Sequence, residues 1–131
     1  MIFKICGLKD VEAVNCCEEN NVDFFGMIFY QKSPRNITLN EAENLIRACK
    51  GLRIRPVGVF VDHKINDLKI IISSLGLKHI QLHGSEDQQY IDEIKKQFDV
   101  KIIKKISIKN SEDLNIINKF NNIEYLLFDY K

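Results

Sequence analysis

The stretch RPVGVFVD, Arg55–Asp62, decides the class of fold. From Val57 to Val61 the residues are apolar or glycine at every position, not at every second one. A strand with one face in water alternates apolar and polar residues, whereas a parallel strand covered on both faces does not. The segment therefore reads as a buried parallel strand, about 55–61, ending at an aspartate.

Working outward, the same unit repeats. Strands are expected at about 2–6, 22–29, 55–61, 78–83, 100–106 and 123–129. Helical patterns lie between them, at about 10–20, 40–50, from Asp62 to Gly76, to about Gln97, and from Ser111 to about Phe120. Thr38 with Glu41, and Ser85 with Gln88, have capping-box spacing. Asp62 is expected to cap the third helix, and Gly76 to end it. Repeated strand–helix units give an α/β domain with right-handed crossovers.

The 131 residues make one domain, 1–131, and composition bounds what it does. Charged residues are 28% with a net charge of +1, acids and bases interleaved. Without a basic stripe, neither nucleic acid nor an anionic membrane is an expected partner. No apolar run approaches the ~20 residues of a membrane-spanning helix, and MIFK is not a leader opening, so a cytoplasmic protein is expected. Cys6, Cys16, Cys17 and Cys49 contain no C-x-x-C pair, so free thiols are expected and a zinc site is not. The last three are read as small residues near the core, and His63 and His79 as surface residues.

Two architectures fit the pattern. Length favours a doubly wound open sheet, because a (β/α)8 barrel has eight strands and usually ~200 residues or more. The strand ends favour the barrel. Cys6, the Tyr30–Arg35 loop, Asp62 with His63, His83 and Asp129 all follow strand C-termini, which converge on one mouth in a barrel. No glycine-rich phosphate loop follows the first strand. A sheet ending on the apolar YLLF strand would leave an exposed edge. The expected fold is a TIM barrel, incomplete here, with six strands visible and strands seven and eight absent.

KICGL, FGMIFYQKSPRNI, PVGVFVD, IQLHGSED and YLLFD, in this order, resemble phosphoribosylanthranilate isomerase, a TIM-barrel enzyme of tryptophan biosynthesis. The resemblance implies an Amadori rearrangement of N-(5'-phosphoribosyl)anthranilate to the 1-(2-carboxyphenylamino)-1-deoxyribulose 5-phosphate, with no cofactor or metal. It implies Cys6 as general base, Asp129 as general acid, and Arg35 and His83 as substrate-binding residues. The expected partner is that small phosphosugar–anthranilate, and the expected state is a monomer or a homodimer.

Elementary chemistry accommodates these roles. Opening the ribose needs a proton on the ring oxygen, which a carboxylic acid raised by burial at the mouth would give. Shifting the double bond needs removal of the C2' proton, which a thiolate does. On a strand Lys4 and Cys6 share a face, so Lys4 is expected to support the thiolate, while Phe3 and Ile5 pack under helices on the other. Arg35 suits the anthranilate carboxylate. The family's phosphate-binding loops follow strands seven and eight, so residues 1–131 alone are expected to be nearly inactive. The alternatives are a non-catalytic half-barrel assembly module and a flavodoxin-like open-sheet binding domain.

Overall fold

The computed structural model describes residues 1–130. Its elements run β1 (Lys4–Cys6), α1 (Val11–Glu19), β2 (Phe24–Phe29), α2 (Leu39–Ala48), β3 (Arg55–Phe60) and α3 (Ile65–Leu75). They continue β4 (His79–Leu82), α4 (Gln88–Gln97), β5 (Lys101–Ile108), a 3₁₀ helix (Ser111–Lys119) and β6 (Tyr125–Tyr130).

The strands pair in chain order, β1-β2-β3-β4-β5-β6, and every neighbour is parallel. A doubly wound sheet reverses its strand order at a switch point; this one does not. The sheet is also strongly curled. Phe24 on β2 and Tyr125 on β6 meet edge to face with 6.2 Å between ring centroids. Flat, those strands would stand roughly 19 Å apart at about 4.8 Å per strand. The open-sheet alternative fails on this contact, and the sheet is a partial barrel.

Alternation along each strand divides the core in two. Phe25, Met27 and Phe29 of β2, Phe60 of β3, Ile80 and Leu82 of β4, and Ile102 of β5 face outward, against Val14, Leu45, Leu68 and Ile91 of the helices. Phe24, Val57 and Ile103 face inward and form the barrel floor with Tyr125 and Leu127. Both faces are apolar, which is why RPVGVFVD lacks alternation.

Helix ends follow local chemistry, with three departures from expectation. Thr38 and Glu41 form the expected reciprocal capping box on α2, and Gly76 closes α3 in the left-handed conformation at φ 60°. Asp87, not Ser85, caps α4, accepting from the Tyr90 N–H at 2.9 Å. Asp62 does not cap α3, whose N-cap is Lys64 without a side-chain bond. Instead Asp62 sits at φ 48° and accepts from the backbone N–H and hydroxyl of Ser85 at 2.7 and 2.9 Å. The last helix begins at Ser111 itself, capped by Asn110, and is a 3₁₀ helix rather than an α-helix preceded by Ser111. None of its residues is buried, so no packed face holds it in α geometry.

The outer edge of β1 and that of β6 are unpaired among the described residues. Phe3 and Ile5 are therefore 53% and 43% exposed instead of lying under helices. Cys17 and Cys49 are buried as expected, but Cys16 faces out. His79 is also a correction: it is 6% exposed, its ring edge-to-face with Phe24 at 5.0 Å in the barrel floor. His63 is half-buried and packs edge-on against Phe60 at 5.2 Å.

Candidate active site

The C-terminal strand ends surround a cavity of about 530 Å³. Lys4 and Cys6 reach it from β1, Arg35 from the loop before α2, His83 from the end of β4 and Asp129 from β6. All five residues singled out from the sequence line it. Ile28, Val59 and Leu127 supply an apolar wall.

Cys6 and Lys4 lie on the inward face opposite Gly26 of β2, with Cys6 and Gly26 in direct register. A Cβ on Gly26 would fall 2.7 Å from the Cys6 sulfur and 3.1 Å from Lys4 Nζ. The missing side chain is thus the space that thiol and amine occupy together. Beyond Cys6 the chain turns through Gly7 at φ 87°, and the Gly7 and Leu8 N–H groups both donate to the Gly26 carbonyl.

Arg35 is brought in by that turn. Its Nη1 donates to the Cys6 carbonyl oxygen at 2.8 Å, and its stem lies where a Gly7 side chain would be. The remaining guanidinium N–H groups are available at the cavity, a planar fork that suits a carboxylate.

His83 and Asp129 face each other, with Nε2 3.8 Å from Oδ2. Burial above all, with Lys105 and Lys4 nearby, holds the His83 imidazole below its usual pKa, against the opposing pull of Asp129 and Glu86. The burial expected for Asp129 is not found: its side chain is 51% exposed, because it stands on the unpaired outer strand.

Residues outside the sequence expectations complete the rim. Gln81 is 2% exposed and its Nε2 lies 2.9 Å from His83 Nδ1. Gln81 is two residues before His83, so strand alternation alone puts both on one face. Behind them, Lys104 donates to Glu86 at 2.8 Å and to the Gly84 carbonyl at 2.9 Å, while Glu86 accepts from the Asp62 N–H at 2.9 Å. This network ties the loops after β3 and β4 to β5. Among the described residues, no cluster of three His, Cys, Asp or Glu side chains is placed to hold a metal ion.

The family model for N-(5'phosphoribosyl)anthranilate (PRA) isomerase matches residues 3–131. The chain belongs to the PRA isomerase family. It is 38% identical over 132 residues to N-(5'-phosphoribosyl)anthranilate isomerase of Sinorhizobium fredii and 42% identical over 112 residues to that of Zymomonas mobilis. These alignments cover 100% and 85% of this chain but 58% and 52% of the relatives, so the chain spans about half their length. Among solved structures, the Thermotoga maritima PRA isomerase superposes over 100% of this chain and 62% of its own, with TM-score 0.90 and 27% identity. A PRA isomerase bound to reduced 1-(o-carboxyphenylamino)-1-deoxyribulose 5-phosphate gives TM-score 0.89 at 26% identity, over 100% of this chain and 66% of the other. The partial-barrel topology is therefore that of the PRA isomerase fold.

Proposed function

We propose that residues 1–131 fold as one domain carrying the acid–base part of a PRA isomerase site, and that the protein converts N-(5'-phosphoribosyl)anthranilate to 1-(2-carboxyphenylamino)-1-deoxyribulose 5-phosphate. What carries this reading is that Cys6, Arg35, His83 and Asp129, from four separate parts of the chain, line one cavity in a chain of this family.

Asp129 gives a proton to the ribose ring oxygen as the C1'–oxygen bond breaks, and the anilino nitrogen's electrons form a C1'=N iminium. The Cys6 thiolate takes the C2' proton, and that electron pair forms the C1'=C2' bond of an enamine. Ketonisation, with loss of the C2' hydroxyl proton and protonation at C1', completes an isomerisation with no net redox change. Lys4 Nζ shares with the sulfur the space left open by Gly26. Arg35 holds the anthranilate carboxylate and His83 a substrate oxygen. Asp129 acts from the partly exposed outer strand, so substrate must supply part of the enclosure that the acid needs.

We place the protein in the cytoplasm as a biosynthetic enzyme. A dimeric form is described for the Thermotoga maritima relative, and native mass distinguishes monomer from homodimer here. The test of function is loss of the fluorescent substrate with protein expressed from the full gene. Cys6→Ser and Asp129→Asn are each expected to lower turnover by about 10²–10⁴-fold with the fold intact. Near-normal turnover in Cys6→Ser would refute the assignment.

A further inference from the structure

We propose that Gln81 is a positioning residue that sets the tautomer of His83, so that His83 presents Nε2–H to the cavity as a fixed donor and not as a proton acceptor. The functional consequence rests on the isomerase reading above; the tautomer itself does not.

A neutral imidazole carries one N–H, and the partner of one nitrogen decides the state of the other. Gln81 Nε2 stands 2.9 Å from His83 Nδ1, and an amide nitrogen only donates. Nδ1 then accepts, and the ring proton resides on Nε2. The opposite amide orientation would put Oε1 against an Nδ1–H, and two arguments count against it.

The first is the cost of what is left unpaired. Gln81 is 2% exposed, and Oε1 is its unpartnered atom among the described residues. Turning the amide over would instead strand an NH₂ group with two donors at that buried spot. Buried donors are left unpaired less often than carbonyl oxygens. The second is charge. His83 Nε2 faces Asp129 Oδ2 at 3.8 Å. A proton on Nε2 is attracted to that carboxylate, whereas a lone pair there would be repelled. Burial of His83, with Lys105 and Lys4 near it, disfavours the doubly protonated ring, so the choice lies between the two neutral forms.

A fixed Nε2–H steadies the Asp129 carboxyl or a substrate oxygen, but it has no lone pair to accept the C2' proton. Gln81 thereby leaves that step to Cys6.

The test is long-range ¹H–¹⁵N correlation on uniformly labelled protein expressed from the full gene, with the His83 signals assigned by their loss in His83→Asn. Native protein is expected to show His83 protonated at Nε2 and bare at Nδ1. Gln81→Glu, whose carboxylate only accepts, is expected to draw a proton onto Nδ1. Gln81→Met/Asp129→Asn removes both influences and is expected to give shifts averaged between tautomers. Finding Nδ1–H in the native protein, or an unchanged pure Nε2–H form in either variant, would overturn the proposal; circular dichroism checks the fold, and each variant decides alone if the other fails to fold. In turnover, Gln81→Glu is expected to lower kcat/KM by about ten- to a hundredfold, as for the groups that orient metal-bound imidazoles. Adding it to His83→Asn should cost nothing more. The expected tautomer in a protein without turnover would keep the inference and refute the isomerase reading.

Discussion

Lys104 and Glu86 meet at 2.8 Å inside the protein, with 2% and 6% of their surfaces exposed. Two desolvated charges are tolerable only because each has further partners, the Gly84 carbonyl for Lys104 and the Asp62 N–H for Glu86. The pair fastens β5 to the loop that follows His83. Removing one partner strands the other's charge, so Lys104→Met is expected to cost about 3–5 kcal/mol. Lys104→Met/Glu86→Leu should recover a substantial part of that loss. Urea unfolding of the variants checks both, and a cost below about 1 kcal/mol for the single variant would place the pair in water.

Gly26 has no room for a side chain. The added methyl of Gly26→Ala would sit 2.7 Å from the Cys6 sulfur and 3.2 Å from its Cα. Overpacking of this kind costs about 1–3 kcal/mol. Because part of the clash is with the sulfur, Cys6→Ala/Gly26→Ala is expected to be more stable than additivity allows. Peptide-resolved alkylation should show Cys6 labelling at an altered rate in Gly26→Ala, with Cys16 unaffected. Strict additivity would mean that the strands separate to absorb the methyl.

Gly7 combines φ 87° with a stem of Arg35 lying where its side chain would go. Gly7→Ala is expected to destabilise by about 1–3 kcal/mol. It should also dislodge the guanidinium from the Cys6 carbonyl and raise KM more than it lowers kcat, since Arg35 is assigned to binding. Steady-state kinetics separates the two parameters.

The pH dependence of stability is expected to show a histidine step. Burial above all, reinforced by Arg55 and Lys101 against the opposing Glu124, holds His79 below the usual imidazole range. Its folded-state pKa lies below its unfolded one, so the unfolded chain binds the proton first. Stability is then full above about pH 6.5 and declines as pH falls from there toward the folded-state pKa. His83 is shifted in the same direction and adds to the decline. Glu18 and Glu124, where burial is opposed and outweighed by hydrogen bonds together with Arg53 and Lys95, and Glu41, held low by hydrogen bonds from Thr38, lose their contributions only below about pH 4.3. Urea midpoints from pH 7.5 to 5 should fall in native protein and fall less in His79→Gln. Equal slopes would remove His79 as the cause.

Local signals carried much of this molecule. Consecutive apolar residues in RPVGVFVD and YLLF reported strands covered on both faces, Thr38 with Glu41 reported a helix start, and Gly76 reported a helix stop. These features depend on neighbours in the chain, so they are readable without a fold. Asp62, Ser85 and His79 were misread for the complementary reason. Asp62 and Ser85 satisfy each other across two loops, and His79 is buried because Phe24, from another strand, packs edge-to-face against it. Gln81 was legible in principle, two residues before His83 on one strand face, but nothing local says that its partner is an imidazole.

The sequence by itself determined six parallel strands, the helices between them and the reactive residues at the strand ends, because hydrophobic period and capping chemistry act over a few residues. Only the tertiary structure decided that the sheet curls, that Gly26 leaves space for Cys6 and Lys4, and that His83 faces Asp129. Those relationships arise between strands distant in the chain, where twist and packing of the whole sheet set the distances.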